Sequence, residues 1–282
     1  MYKRKEYIMK DRVMPTILLD YDGYVAKSFY AGIKDGGEAA ECLEVLESLF
    51  DSAVDRAREY FNTNYIRVFK IMSGHTYKKD IYPSYKGKRK RDPMFAAYRE
   101  LVLKTQTDII KPQQLEADDL LVLMADRLLN CIVFSDDKDL RYYCQTVGGI
   151  NLTAPIVQQN FLADCYPKQI EQMLAGDSED DIAGVPKVGM KTAKKLLDNT
   201  EHTIDQVVRI YKEKGVDIDS CLRDLVLVSP LSEEMILAAN DTAELVVDAV
   251  LDNREPEDSD VQNLIIAQFQ RLNKIVKEVY YN

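Results

Sequence analysis

The chain of 282 residues contains only two histidines, His75 and His202, and no Cys-x-x-Cys pair among its five cysteines. So few histidines give little support to a Ser/His or Cys/His nucleophile, and both are better interpreted as ordinary surface residues. The cysteines are odd in number and scattered, which favours neither a disulfide framework nor a thiolate zinc site. No loop has the spacing of acidic residues that an EF-hand requires, so that calcium site is excluded.

The sequence also lacks an apolar run long enough to span a membrane. Its charged N-terminal stretch has no apolar segment of the kind found in signal peptides. Hydrophobic residues make up 46% of the chain, which is typical of a folded globular protein. We therefore expect a soluble, monomeric, cytoplasmic protein with no membrane partner, located in the host cytoplasm if a phage encodes it.

Charge is distributed unevenly along the chain. The net charge is −10, and residues 200–282 alone hold 17 acidic and 8 basic residues. Between residues 75 and 92, by contrast, seven lysines and arginines outnumber Asp80 and Asp92. A polyanion responds to charges within about one Debye length, roughly 8–10 Å, so this local excess could serve phosphates. Taken alone, the segment is equally well interpreted as a solvated basic loop.

Short apolar segments alternate with helical patterns in the first part of the chain. The predicted strands are 16–20, 65–73 and the start of 131–140, and the predicted helices cover about 38–60, 94–104 and a stretch from 116. This alternation predicts an α/β fold with a mostly parallel sheet flanked by helices. We assign it to a core domain over 1–165, with a basic loop or arch at about 75–105.

The sequence after about residue 166 is helical in pattern. Helices are predicted at 203–214, 218–228 and 262–280, and the polar stretch 252–260 is predicted to be a solvated loop. Residues 176–198 resemble two short helices joined by a Gly-rich turn. We therefore predict a helical C-terminal domain over 166–282.

Acidic residues recur in four clusters at predicted strand ends and helix starts, where open parallel sheets place their sites. Each cluster alone could cap a helix or form a turn. Gathered in one cleft, carboxylates would repel by about 4 kcal/mol per close pair at an effective dielectric of 20. Hard cations such as Mg²⁺ or Mn²⁺ relieve that repulsion, and two of them can hydrolyse a phosphodiester. The clusters are Asp20 and Asp22; Glu116, Asp118 and Asp119; Asp137 and Asp139; Asp177 and Asp180.

Three motifs, LEADD (115–119), FSDDKDL (134–140) and GDSEDDIAGVPKVGMKTA (176–193), resemble in this order those of the 5′→3′ exonuclease and flap endonuclease family. That family includes phage exonucleases, phage RNase H enzymes and the N-terminal nuclease domain of bacterial DNA polymerase I. The stretch YPSYKGKRK (82–90) resembles its arch motif. The resemblance covers about residues 16–230 and implies a PIN/FEN-like nuclease core.

Carried over residue by residue, the resemblance implies two Mg²⁺ or Mn²⁺ ions with Asp119 between them. Asp20 is the expected ligand from the first strand, and Asp22 is the alternative. Lys86 and Arg89 would contact the scissile phosphate and act in catalysis, and Tyr85 would stack on a terminal base. The implied metal ligands are Asp20, Asp22, Glu116, Asp118, Asp119, Asp137, Asp139, Asp177 and Asp180.

The stretch GVPKVGMKTAKK (184–195) resembles the family's helix–hairpin–helix turn, so we expect a helix–hairpin–helix at about 176–198. Gly184 and Gly189 would let the backbone approach a DNA phosphate, and a bound K⁺ is implied. The nearby lysines would add attraction that does not depend on DNA sequence; they are Lys187, Lys191, Lys194 and Lys195.

The sequence departs from the family at two positions. The second strand of the family usually ends in an aspartate ligand, but Ser73 holds the matching position. A hydroxyl is a poor substitute for a carboxylate, so one metal would bind weakly or the activity would be limited to Mn²⁺. The second departure is Lys187, where the family commonly has glycine.

The resemblance implies a structure-specific 5′ nuclease that acts on 5′ ends or flaps of DNA, with RNA–DNA hybrids as a further substrate class, in replication or primer removal. The alternative is a branched-DNA-binding protein with a weakened or inactive metal site, in which Ser73→Asp should increase cleavage. A small-molecule phosphatase would leave the hairpin turn and the basic arch without a purpose. The acidic C-terminal region could contact a replication protein or only keep the chain soluble.

Overall fold

The computed structural model describes residues 14–34, 37–90, 92–128, 130–137, 140, 156–157, 166–198, 203–229, 240–252 and 254–282. Within these ranges, five strands form one sheet. The strands are β1 (Thr16–Asp20), β2 (Arg67–Ile71), β3 (Ile109–Ile110), β4 (Cys131–Phe134) and β5 (Ile156–Val157).

The sheet has the order β3-β2-β1-β4-β5, with β1 at its centre. β1 runs parallel to β2 and β4, and β2 runs parallel to β3, whereas β5 is antiparallel to β4. Asp20 is in register with Ile71, and Leu19 with Phe134, so the carboxyl ends of the three central strands lie at the same edge. The predicted mostly parallel sheet is confirmed.

Helices cover both faces of the sheet because β1 is buried on both sides. Ile17 and Leu19 pack into one apolar cluster, and Leu18, which points to the opposite face, packs into the other. Each such side chain contributes roughly 1.5–3 kcal/mol on burial. The helices of this part are α1 (Tyr21–Lys34), α2 (Ala39–Phe61), α3 (Tyr77–Ile81), α4 (Pro93–Thr105) and α5 (Ala117–Arg127).

The start of α4 follows directly from its sequence. The Asp92 carboxylate accepts the backbone N–H of Met94 at 2.8 Å, and Pro93 occupies the first turn, where its missing N–H has no cost. With α3, this helix occupies most of the predicted arch, and turns at residues 83–88 lie between the two helices. The described part of the predicted arch is therefore formed mainly by two helices and turns rather than by an open loop.

The C-terminal region is helical, as predicted. Its last helix begins at Asp258, earlier than expected, since Asp258 and Asp260 lie in its first turn, where acidic residues stabilise a helix. The helix at 240–251 was not predicted from the sequence. The helices are α6 (Tyr166–Ala175), α7 (Met190–Leu197), α8 (Ile204–Glu213), α9 (Ile218–Val228), α10 (Asn240–Leu251) and α11 (Asp258–Tyr281).

One apolar cluster is continuous from α5 into the C-terminal helices, for example from Leu123 to Val246. The two regions therefore share a core, and the division at residue 165 stays a prediction. In the part of the chain that the structure describes, no helix is both long enough and apolar enough to cross a membrane.

Candidate active site

The acidic residues that follow β1 and β4 meet at the edge of the sheet. Asp20 is 6% exposed, and its carboxylate accepts hydrogen bonds from Ser135 Oγ at 2.5 Å and from the Gly23 N–H at 3.4 Å. The N–H of Asp137 donates to the same Ser135 Oγ at 3.0 Å. Ser135 thus connects the ends of two parallel strands, which is where such sheets place their sites.

Asp20, Asp118 and Asp137 form what we call the acidic cluster, because their charges act on one another. Burial, together with the charges of Asp22 and Asp137, raises the pKa of Asp20 to about 7, although the Ser135 hydrogen bond lowers it. Burial and the charges of Asp137 and Asp20 raise the pKa of Asp118 well above its ordinary value. Carboxylates that disfavour each other's ionised form in this way favour a proton or a cation.

Glu116 lies among cations instead, although it is only two residues from Asp118. Its Oε2 atom accepts from Lys78 Nζ at 3.2 Å and from the Tyr85 hydroxyl at 3.0 Å, and its Oε1 atom lies 2.5 Å from Lys86 Nζ. Burial acts to raise the pKa of Glu116, but Lys78 and Lys86 outweigh it and lower the pKa to about 2. Glu116 is therefore ionised at neutral pH.

Asp119 is fully buried and takes part in capping α5. Its Oδ2 atom accepts the Glu116 N–H at 3.2 Å, and its Oδ1 atom lies 3.7 Å from Lys78 Nζ. Glu116 and Asp119 thus take part in the cap of α5, whereas Asp118 belongs to the acidic cluster. The implied position of Asp119 between two metal ions remains a prediction.

The basic segment folds against the loop that follows α6. The Lys86 N–H donates to the Asp180 carbonyl at 3.1 Å, and Arg89 forms an ion pair with the Asp180 carboxylate. Lys88 likewise forms an ion pair with Asp181. Lys86 and Arg89, which the resemblance assigns to the scissile phosphate, are therefore neutralised by acidic residues of the chain itself.

Asp177 and Asp180 lie on the helical side of the basic segment. The Asp177 carboxylate accepts the Glu179 N–H at 2.9 Å and the Gln172 side-chain amide at 3.2 Å, which is a turn-forming role. Burial raises the pKa of Asp180, with Lys86 and Arg89 opposing the shift. Both acidic residues thus have structural partners, and their predicted metal role rests on the resemblance.

Tyr85 is placed differently from the expectation that it stacks on a terminal base. Its ring is only 2% exposed, and its hydroxyl donates to Glu116. A base cannot stack on a ring face that is covered by protein, so that role does not fit this arrangement. Tyr85 instead helps to hold Glu116 in place.

The carboxylate oxygens of the site are suitable ligands for a divalent cation. The described carboxylates do not by themselves form a complete coordination shell. Across the residues that the structure describes, no group of three or more Asp, Glu, His or Cys side chains is arranged to hold a metal ion. Asp139 lies outside the described residues. The raised pKa values of Asp20 and Asp118, to which the charge of Asp137 contributes, nevertheless favour a hard cation with oxygen ligands. Asp20, Asp118 and Asp137 are therefore the residues that could hold one.

The sequence interpretation missed the roles of Lys78, Ser135 and Arg99. Lys78 belongs to the basic segment, and its sequence position does not indicate that it is 4% exposed and lies against Glu116. Ser135 directly follows a predicted strand and precedes two aspartates, and this position in the sequence could have indicated its role. Arg99 contacts both Asp22 and Ser73, and nothing in its local sequence indicates those partners.

The turn between α6 and α7 corrects one expectation. Gly184 has a φ of +62°, and its N–H donates to the buried Asp224 carboxylate at 3.0 Å, so it is not available to a phosphate. Gly189 precedes α7 in open space. The lysines of this region are exposed and suit phosphate contacts; they are Lys187, Lys191, Lys194 and Lys195.

We expect Gly184→Ala to destabilise the fold by about 2–3 kcal/mol, because the new methyl group must enter an occupied space at a positive φ. A Cβ there would lie 2.4 Å from the Gly176 nitrogen. Gly189→Ala is the matched control, since its Cβ meets no atom within 4 Å. Urea unfolding of both variants is the measurement, and equal free energies of unfolding would contradict the prediction.

Known proteins resemble this chain in sequence and in fold. A family model described as the 5′-3′ exonuclease N-terminal resolvase-like domain matches residues 15–165. A 5′-3′ exonuclease of Buchnera aphidicola subsp. Baizongia pistaciae is 22% identical over 289 residues, which cover 93% of this chain and 94% of that protein. DNA polymerase I of Bacillus subtilis is 31% identical over 177 residues, which cover 55% of this chain and 20% of that protein.

The fold is also similar to two solved structures from bacteriophage T5. The first is the T5 5′-exonuclease with bound zinc ions, with a TM-score of 0.54 and 14% identity over 93% of this chain and 99% of that one. The second is the T5 flap endonuclease in a pseudo-enzyme-product complex with DNA and metal ions, with a TM-score of 0.52 and 14% identity over 94% of this chain and all (100%) of that one. The family model covers more than half of the sequence, so this chain belongs to the 5′-3′ exonuclease family.

Proposed function

We propose that this protein is a metal-dependent 5′ nuclease that hydrolyses phosphodiester bonds at 5′ ends and flaps of DNA. The observation that carries the proposal is the position of Asp118. Burial and the charges of Asp137 and Asp20 raise the pKa of its carboxyl group, and the charge of Lys86, which contacts the neighbouring Glu116, opposes that shift. Carboxylates that attract a cation thus lie beside a cation that can attract a phosphate.

Each group has a defined chemical task in this proposal. Asp20, Asp118 and Asp137 would hold two divalent ions, either Mg²⁺ or Mn²⁺. When bound, such ions activate a water molecule and stabilise the leaving oxygen. Lys86 and Arg89 would stabilise the charge that develops on the phosphate. To reach a phosphate, both side chains must leave the carboxylates that now pair with them.

The DNA duplex would be held by the C-terminal helices. The exposed lysines around α7 attract phosphates without regard to base sequence, and the open space at Gly189 leaves the start of α7 accessible. The predicted helix–hairpin–helix and its K⁺ belong to the same proposal, with one correction: of the two short helices expected within 176–198 only α7 is present, and turns occupy residues 178–181 in place of the first. The T5 flap endonuclease complex with DNA and metal ions supports this assignment through its similar fold.

A second candidate function is branched-DNA binding with a weakened metal site. The specific observations in its favour are the hydroxyl at Ser73 and the ion pairs that occupy Glu116 and Asp180. Such a protein would bind a flap tightly with Mg²⁺ present and release no product. Ser73→Asp should then increase cleavage, and no increase would remove Ser73 as the cause.

Cleavage of a labelled 5′-flap duplex in Mg²⁺, Mn²⁺ or EDTA tests the proposed function directly. We expect metal-dependent product near the junction with the wild-type protein and no product with Asp137→Asn, because that variant loses one carboxylate of the acidic cluster. An RNA–DNA hybrid in the same assay tests the further substrate class. Flap binding without product in either metal would overturn the nuclease and favour the binding protein.

A further inference from the structure

Arg99 of α4 contacts two other elements of the core at the same time. Its Nε atom donates to Asp22 Oδ1 at 3.0 Å, and its Nη2 atom donates to the Ser73 carbonyl at 2.7 Å. Asp22 lies in the first turn of α1, and Ser73 follows the end of β2. The guanidinium therefore connects α4, α1 and the carboxyl end of a central strand.

Ser73 extends these contacts to the start of α5. Its N–H donates to Asp22 Oδ2 at 2.6 Å, which closes a ring of three residues with Arg99. Its hydroxyl accepts the N–H of Ala117, the first residue of α5, at 3.0 Å. Ala117 lies between Glu116 and Asp118, so the ring is attached to the turn that carries both carboxylates.

This arrangement differs from an ordinary surface ion pair, which contributes roughly 0–1 kcal/mol. The Arg99 and Asp22 side chains are 23% and 29% exposed, and each makes a second hydrogen bond to Ser73. A planar guanidinium can direct two donors at two fixed acceptors, whereas a lysine ammonium is a single point charge. The geometry of the ring therefore depends on arginine and not only on a positive charge.

The ring also lies next to the acidic cluster. Asp22 is two residues from Asp20, and its charge contributes to the raised pKa of that carboxyl group. Asp22 has both oxygen atoms engaged by Arg99 and Ser73. This geometry favours Asp20 as the carboxylate that the first strand presents to a metal, and it gives Asp22 a supporting role.

We propose that Arg99 is a positioning residue, which holds Asp22 and Ser73 in a ring that fixes the first turn of α5 beside Asp20. The proposal rests on the proposed function in one respect, namely that the acidic cluster binds divalent cations. Residues that hold metal ligands in position without binding the metal typically lower the metal affinity by about 10- to 100-fold when they are removed. Arg99 acts through such a support and touches no reacting atom.

The proposal and simple electrostatics predict opposite effects on metal affinity. If Arg99 mattered only as a positive charge, its removal would strengthen cation binding at the neighbouring carboxylates. If it positions the ring, both Arg99→Lys, which keeps the charge, and Arg99→Met, which removes it, should weaken Mn²⁺ binding by about 10-fold or more.

Titration of the DNA-free protein with Mn²⁺, followed by calorimetry or by the electron paramagnetic resonance of free Mn²⁺, measures this effect without any cleavage. Arg58→Lys is the matched control, because Arg58 forms an exposed ion pair with Asp55 at 3.0 Å on α2, and its variant should bind Mn²⁺ like the wild type. Thermal unfolding and circular dichroism verify that each variant is folded.

A double-mutant cycle with Asp22→Asn separates positioning from general destabilisation. If Arg99 acts through Asp22, the loss of Mn²⁺ affinity in Arg99→Lys with Asp22→Asn should be clearly smaller than the product of the two single losses. Mn²⁺ binding by Arg99→Lys at the wild-type level, or tighter binding by Arg99→Met, would overturn the inference while the nuclease proposal stands. A wild-type protein that binds no Mn²⁺ would overturn both.

Discussion

Lys86→Met is expected to lower the cleavage rate of a 5′-flap duplex by about 10²–10³-fold, the usual effect of removing one donor that stabilises charge in the transition state. The Lys86 ammonium lies 2.5 Å from Glu116 and acts on Asp118. In the proposed function it would leave Glu116 and stabilise the charge on the phosphate. Methionine keeps much of the length of the side chain and removes the charge, so single-turnover cleavage with saturating Mg²⁺ measures the loss.

Lys88→Met is the matched control for this prediction. Lys88 belongs to the same basic segment, but its side chain is 75% exposed and forms an ion pair with Asp181. We expect its cleavage rate to stay within about threefold of the wild type, since an exposed ion pair contributes little. Equal losses in the two variants would show that the segment supplies only general attraction for DNA. Flap affinity measured by fluorescence anisotropy separates weaker binding from slower chemistry.

Lys78→Met is expected to destabilise the fold by about 3 kcal/mol. Lys78 is 4% exposed and lies between the carboxylates of Glu116 and Asp119. Removal of one partner from a buried ion pair costs about 3–5 kcal/mol, because the remaining charge stays buried without compensation. Lys86 and Tyr85 still contact Glu116, so we expect a value near the lower limit. Urea unfolding at neutral pH gives the free energy of unfolding.

The same variant should change how stability depends on pH. In the wild type, the pKa of Glu116 falls from its ordinary value of 4.5 to about 2, because Lys78 and Lys86 outweigh burial. Stability from this ionised group is therefore complete above pH 4.5 and is lost as the pH falls through 2. Without Lys78 the pKa of Glu116 is less depressed, so its contribution to acid destabilisation should be smaller.

Lys79→Met, on the same short helix and partly exposed, is the control for stability. We expect it to change the free energy of unfolding by less than about 0.5 kcal/mol, which is usual for a surface substitution. If Lys78→Met were as stable as Lys79→Met across the acid range, the buried ion pair would contribute nothing to the fold.

Much of the secondary structure could be predicted from sequence pattern, since apolar periodicity and turn residues act locally. The helices predicted at about 38–60 and 94–104 agree with α2 and α4 to within one residue or so at each end. Helix α1 was not predicted, because its glycines and tyrosines weaken the local helical signal. Its helical form depends on packing against the sheet, as shown by the complete burial of Tyr24 and Val25.

The first turn of α5 shows most clearly what the tertiary structure decides. Glu116 and Asp118 are the same kind of residue in the same motif, yet the pKa of one is lowered and that of the other is raised. Glu116 is the N-cap residue with extended backbone angles, whereas Asp118 lies in the first turn of the helix, so their side chains have different surroundings. The sequence cannot show that Lys78 and Lys86 contact Glu116 or that the charges of Asp137 and Asp20 act on Asp118.

By itself, the sequence determined the α/β class, the family and the placement of acidic residues at strand ends, because parallel strands bring their carboxyl ends to one edge. Only the tertiary structure decided which of these charges lie together. In the folded protein Glu116 and Asp180 form ion pairs with cations, Tyr85 is buried, and the Gly184 N–H donates to the Asp224 carboxylate. The physical reason is that buried charges and polar groups are stable only beside partners, and those partners come from distant parts of the chain.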